Sequence, residues 1–163
     1  MHPPISPNEA RRRIHAHLPA LAAIACPLHK CAGRVLREPI NADRPLPPFN
    51  RSMMDGYALR AAELSTVESF TVSVQAPAGS PAQSIGPQRG ACAEIMTGAV
   101  VPDDADCVLP YEATTTDAQG RIRARQPAAH PSGDCIHARG SDFQGGAVLV
   151  PAGPILGTHA IPA

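Results

Sequence analysis

The chain has 163 residues, with 14 Lys or Arg balanced by 14 Asp or Glu, so its formal net charge is zero. That balance gives no electrostatic reason to expect nucleic acid or an anionic membrane as partner, and no run approaches the roughly 20 apolar residues of a membrane span. Hydrophobic residues at 44% mark a globular chain that can bury one respectable core or two small ones. With 3% aromatics and no Trp, that core is expected from Ala, Val, Ile, Leu and Met.

The 19 Pro and 13 Gly predict many short segments joined by sharp turns. Ser6-Pro7-Asn8-Glu9 reads as a capping box, with Ser6 as the cap, Pro7 in the first helical position and Glu9 reaching back to the cap amide. Ala10, Ile14, Leu18 and Leu21 follow at helical spacing, with Arg11, Arg12 and Arg13 on the other side, and Pro19 should end this helix near Leu18. His15, His17 and Pro19 interrupt the apolar run, which argues against an export signal. A second short helix is expected from His29 to Leu36, and residues 37–48, with four prolines, should be extended. Further on, Tyr57 to Leu64 reads as strand then turn, and Phe70 to Val74 as a half-buried strand. Residues 76–90 read as loops, Cys92 to Met96 and Cys107 to Pro110 as short apolar strands. Gly120 to Arg125 is expected as a surface strand leaving a hairpin turn at Asp117 to Gly120, and Val148 to Val150 as a last strand. The fold class is mostly β (α+β): irregular short-strand sheets with one or two N-terminal helices.

The five cysteines, Cys26, Cys31, Cys92, Cys107 and Cys135, are odd in number and show no C-x-x-C spacing. They fit reduced cytosolic thiols better than a disulfide framework. His15 and His17 point to different faces of a helix and cannot share a metal there. The sequence offers no zinc constellation and no assigned metal ligand.

Residues 48–58 read Pro-Phe-Asn-Arg-Ser-Met-Met-Asp-Gly-Tyr-Ala. Pro47 and Pro48 force an extended entry, and Gly56 lets the backbone turn where a Cβ would clash. Asp55 then sits at a loop corner, where a carboxylate can point outward. The alternative is an Asx turn, with Asp55 bonding its own backbone. Thr97-Gly98 offers a hydroxyl beside a flexible backbone, either an anion nest or a strand-ending turn. Arg139 to Asp142 is either part of a site or a surface turn with a local ion pair worth no more than about 1 kcal/mol. Glu112 reads as a solvated residue at a strand end.

Three blocks together carry a resemblance: residues 48–58; Glu94 to Pro102 followed by Ala105 to Val108 and Glu112; and Arg139 to Asp142 followed by Gly145, Val148 to Pro151 and Gly153. Their order and separation resemble the N-terminal region of the molybdopterin molybdotransferase family (MoeA, with gephyrin as its eukaryotic relative). The resemblance implies a β-rich lobe at 46–141 carrying the Asp-Gly and Thr-Gly loops, inserted in a small discontinuous domain of 25–45 plus 142–163, after an N-terminal helix at 1–24. It implies transfer of molybdate onto adenylylated molybdopterin with release of AMP, Mg²⁺ as the cation, and a cytoplasmic homodimer whose partner subunit completes the cleft. Asp55, Thr97 and Asp142 are then the expected catalytic residues, and Ser52, Gly56, Gly98 and Arg139 the expected binding residues. Asn50, Ser141 and His137 depart from the family pattern, where Asp, Glu and Arg are common, and each departure changes the charge near the proposed site. The family's pterin-binding motifs, resembling Thr-Gly-Asp-Glu and Ser-Gly-Gly-x-Ser, are not in this sequence. This predicts an N-terminal fragment, inactive alone. A non-catalytic scaffold module of the same fold, gephyrin-like, is the alternative.

Overall fold

A computed structural model describes residues 4–19 and 21–157. Among these, the chain is mostly β. It forms one α-helix, α1 (Pro7–His17), and ten short strands: β1 (Ile40–Asn41), β2 (Arg51–Ser52), β3 (Gly56–Leu59), β4 (Thr71–Ala76), β5 (Ala91–Ile95), β6 (Cys107–Pro110), β7 (Thr114–Thr116), β8 (Ile122–Ala124), β9 (Ile136–His137) and β10 (Val148–Val150). It divides into two compact units, Met1–Ile40 with Val150–Ala163, and Asn41–Leu149.

In the first unit, α1 starts where the sequence places it. The Ser6 hydroxyl accepts the Glu9 amide at 3.2 Å, Pro7 occupies the first turn, and the helix caps at Leu18 before Pro19. Glu9 differs from expectation. Its carboxylate pairs with Arg12 at 2.5 Å and Arg13 at 2.7 Å rather than turning back to the cap, because both arginines stand one turn ahead on its own face. No residue of α1 is buried, and Ile14 and Leu18 are 61% and 60% exposed. The second helix does not form. Leu28–Lys30 make one 3₁₀ turn, Gly33 enters the left-handed region at φ +77°, and the following residues bond to the distant segment 153–156 instead. The Gly33 and Leu36 amides donate to the carbonyls of Leu156 at 2.8 Å and Pro154 at 3.0 Å.

In the second unit, four strands form one sheet in the order β4-β5-β3-β6. β4 runs parallel to β5, while β3 is antiparallel to both β5 and β6. All four residues of the central strand β3 are buried. Period-2 alternation splits the sheet's side chains into two cores. Ala58, Ala93, Ile95 and Val108 pack with Ile85, Ala99 and Val101 on one face. Tyr57, Leu59, Cys92, Cys107 and Leu109 pack with Leu64, Phe70 and Ile122 on the other. Two expectations need correction. No methionine is among the buried residues described, and Phe70 and Tyr57 supply aromatic volume instead. The β7–β8 hairpin turns at Asp117 to Gly120, but β8 is not purely a surface strand. Ile122 is buried because its backbone pairs with Phe70 and carries it into the core.

Candidate functional site

β2 is only two residues long, yet it organises the region. On one side, the Ser52 amide donates to the Ala99 carbonyl at 3.0 Å, the Ser52 carbonyl accepts the Gly98 amide at 2.9 Å, and the Asn50 carbonyl accepts the Val101 amide at 2.9 Å. On the other, β2 pairs antiparallel with β9, Arg51 against His137 and Ser52 against Ile136. Three stretches far apart in sequence therefore meet on one short strand.

Between β2 and β3 the chain makes the Asp-Gly loop. Ser52 is buried; its hydroxyl donates to the Met54 carbonyl at 2.6 Å, which closes the loop from within. Asp55 does not form an Asx turn. Its Oδ1 accepts the Thr97 amide and the Thr97 hydroxyl, each at 2.6 Å. These are short, charge-assisted bonds. First the hydroxyl and then the amide hold the Asp55 carboxyl below the usual carboxylate range, against a smaller opposing effect of desolvation. Both residues are exposed, and among the described residues Oδ2 of Asp55 has no hydrogen-bond partner.

Gly56 is required because a Cβ would clash, as expected, but the clash arises within a strand and not at a turn. It is a strand residue paired with Ile95 and Pro110, not a bend. A Cβ there would lie 1.9 Å from the Leu109 carbonyl oxygen and 2.8 Å from its carbon. Backbone meets backbone, so no side chain can move to make room. Gly98 does supply a left-handed residue, at φ +86°. The anion nest expected at Thr97-Gly98 is corrected, because its two amides already donate within the chain, to Asp55 and to Ser52. The pair therefore presents an acceptor-rich surface.

The third block is held beside β2 by a different set of bonds. The Arg139 amide donates to Asn50 Oδ1 at 2.9 Å, so Asn50 keeps an acceptor oxygen where an acidic residue is common. The Arg139 guanidinium is exposed and has no partner among the described residues. Asp142 pairs with His137 (Nε2 to Oδ1, 2.8 Å), not with Arg139, and His137 Nδ1 lies 2.9 Å from Arg51 Nη2. A guanidinium has no acceptor, so Nδ1 must accept and Nε2–H must donate. This fixes a neutral tautomer in a chain running Arg51, His137, Asp142. Sequence reasoning missed this chain and the buried role of Ser52; the β2–β9 pairing that creates both has no local signal. Glu112 is exposed, as expected. The structure thus brings together Asp55, Thr97, Ser52, Gly56 and Gly98, and ties Asp142 and Arg139 to the same strand without a hydrogen bond from either side chain to Asp55 or Thr97.

Two tyrosines border the loop. Tyr57 and Tyr111 meet edge to face with centroids 5.2 Å apart, and the Tyr111 hydroxyl donates to Glu94 Oε1 at 2.9 Å. Burial first, then that bond to Glu94, pushes the Tyr111 phenol up.

A family model described as the MoeA N-terminal region (domain I and II) matches residues 5–163. The chain is similar to the molybdopterin molybdenumtransferase of Synechocystis, 36% identical over 147 residues that cover 90% of this chain and 37% of that protein. It is similar to that of Haemophilus influenzae, 32% identical over 136 residues that cover 83% of this chain and 33% of that protein. A crystal structure of the molybdopterin biosynthesis MoeA protein of Pyrococcus horikoshii superimposes with a TM-score of 0.74 and 30% identity, over 83% of this chain and 36% of that one. The chain spans about a third of the length of these relatives. Among the described residues, no helix is long and apolar enough to cross a membrane.

Proposed function

Because the chain belongs to the MoeA family, spanning its N-terminal region, we propose that it supplies one rim of an enzyme that inserts molybdate into adenylylated molybdopterin with release of AMP. The Asp55–Thr97 pair carries this reading: an exposed carboxylate, fixed by two short bonds to one oxygen beside a rigid sheet, with no hydrogen bond to its second oxygen among the described residues. Loops positioned by a rigid scaffold are where sites tend to be built.

The chemistry of the pair defines its role. Asp55 stays ionised at neutral pH and the Thr97 hydroxyl proton is used toward it, so both present lone pairs outward. They accept hydrogen bonds from substrate or water, and Asp55 is placed to take a proton from an attacking or leaving group. Oxyanion contacts fall to Arg139, whose free guanidinium suits a tetrahedral anion. Asp142 holds His137, and so fixes the turn that presents Arg139. Among the described residues, no group of three or more His, Cys, Asp or Glu could hold a metal ion. Mg²⁺ is ordinarily held through one or two carboxylates together with waters and substrate phosphates, so in this reading the expected cation takes ligands from the substrate as well as from this chain. The remaining cleft, in this reading, comes from a further domain in a cytoplasmic homodimer.

The test is molybdate-dependent AMP release from adenylylated molybdopterin. It is measured on the chain alone and on the chain joined to the remaining two thirds of the Synechocystis relative. The expected result is no turnover alone, turnover in the chimera, a loss of about 100-fold with Asp55→Asn, and about tenfold with Thr97→Ala. A chimera that turns over equally well with both substitutions removes the role assigned to this rim. A folded chimera with no turnover favours a scaffold.

A further inference from the structure

Three of the five cysteines leave little room for chemistry. Cys92 and Cys107 are fully buried in the sheet's core, and Cys135 is single and half-buried. Cys26 and Cys31 differ. Both are half-buried, and both flank the 3₁₀ turn Leu28–Lys30 of the first unit. The turn folds the chain back on itself: the Lys30 amide donates to the Pro27 carbonyl at 2.8 Å and the Cys31 amide to the Leu28 carbonyl at 3.1 Å. Both thiols then converge on one carbonyl. Cys31 Sγ lies 3.3 Å from the Pro27 oxygen and 3.5 Å from the Cys26 oxygen, and Cys26 Sγ lies 3.7 Å from the same Pro27 oxygen. The two thiols therefore share the Pro27 oxygen as an acceptor. No third metal-binding side chain completes a metal-holding group among the described residues, so a two-electron thiol reaction fits the site better than a cation does.

We propose that Cys26 and Cys31 form a reversible disulfide, a peroxide-responsive modification site that lies outside the Asp55–Thr97 region. A peroxide oxidises the Cys26 thiol to a sulfenic acid and is itself reduced, releasing one water. The Cys31 sulfur then attacks the Cys26 sulfur. The S–S bond forms, the S–O bond breaks, and a second water leaves carrying the Cys31 proton. The net change is two thiols plus one peroxide giving one disulfide plus two waters. Burial first, then the neighbouring thiol, raises the Cys31 pKa against the opposing charge of Arg34, and Cys31 gives up its proton as its sulfur attacks.

Trypsin makes the bond visible, because it cuts after Lys30 and separates the two cysteines. Folded chain treated with hydrogen peroxide, alkylated in denaturant and digested without reductant should give residues 14–30 joined to 31–34. The number of alkylated thiols should fall from five to three and return on dithiothreitol treatment. Cys31→Ser should leave a Cys26 sulfenic acid that dimedone traps, and Cys26→Ser should leave Cys31 fully alkylated. Oxidation that falls on Cys135 or joins separate chains, with residues 14–30 and 31–34 unlinked, overturns the proposal. So does a link that forms no faster in the folded chain than in urea, since the fold would then contribute nothing to the pairing.

Discussion

The Asp55 carboxylate and Thr97, 42 positions apart, share two hydrogen bonds of 2.6 Å, one from the Thr97 backbone amide and one from its hydroxyl. The hydroxyl is the larger cause of the low Asp55 pKa. Thr97→Val removes it and leaves the amide, so the Asp55 pKa should rise part of the way toward the ordinary value of about 3.9. A ¹³C titration of the carboxyl carbon reads this directly. The sign for stability follows from the lowered folded pKa: the contribution is present above the unfolded value and lost as pH falls through the folded one. An unchanged carboxyl titration in Thr97→Val means that the hydroxyl bond does not exist in solution.

Gly56→Ala should be among the most damaging single changes in the chain. The new Cβ would lie 1.9 Å from the Leu109 carbonyl oxygen, and the obstacle is main chain on a neighbouring strand. Overpacking of a well-filled core costs about 1–3 kcal/mol, and more where backbone must shift. Urea unfolding should therefore show a loss above about 3 kcal/mol, or no folded protein. A loss below about 1 kcal/mol means that β3 and β6 do not approach as described.

The tautomer of His137 is fixed by its neighbours. With Arg51 donating to Nδ1 and Asp142 accepting from Nε2–H, long-range ¹H–¹⁵N spectra at neutral pH should show the neutral Nε2–H form. His137→Gln, whose oxygen and amino group can imitate acceptor and donor, should leave the fold's stability within about 0.5 kcal/mol. His137→Lys places a second cation beside Arg51 and should cost about 1 kcal/mol. Observation of the Nδ1–H tautomer breaks the chain of bonds from Arg51 to Asp142.

Alkaline pH should weaken the fold before it affects the surface. Burial first, then Glu94 beside Cys92 and Asp134 and Asp106 beside Cys107, pushes both thiols up to about 12. Unfolded thiols ionise near about 8.5. A group whose folded pKa is raised contributes stability that is complete below its unfolded value and disappears as pH climbs toward the folded one. Tyr57 and Tyr111 shift the same way. The urea midpoint should fall steadily from about pH 8.5 to 10, and Cys92→Ala should reduce the slope. A flat midpoint across that range contradicts the burial of these groups.

Local signals were read well from the residues. The Ser6 cap, the stop before Pro19, the turn at Asp117 and the strands over Cys107–Pro110 and Val148–Val150 all rest on neighbours in sequence, and each stands where propensity and turn chemistry put it. Apart from Glu9, whose competing partners are local, the failures have one physical cause. Residues 29–36 carry a weak helical pattern, but their amides bond to 153–156, and non-local pairing overrides propensity. Glu9 chose arginines on its own face over the cap. Asp55, Thr97, Gly56 and Ser52 were recognisable as special residues, yet the reason for each depended on a partner elsewhere. Gly56 faces Leu109, and the Thr97-Gly98 amides face Asp55 and Ser52. No window along the chain contains those distances.

Main-chain bonds from β2 reach the Thr-Gly bend on one side and β9 on the other, so the geography of this rim is written in peptide groups rather than in side chains. A point substitution on this rim changes a side chain and leaves those peptide bonds in place. Insertion or deletion within residues 50–52 is a different matter: it would shift both flanking segments at once, and tolerance of length change there should be the lowest in the lobe.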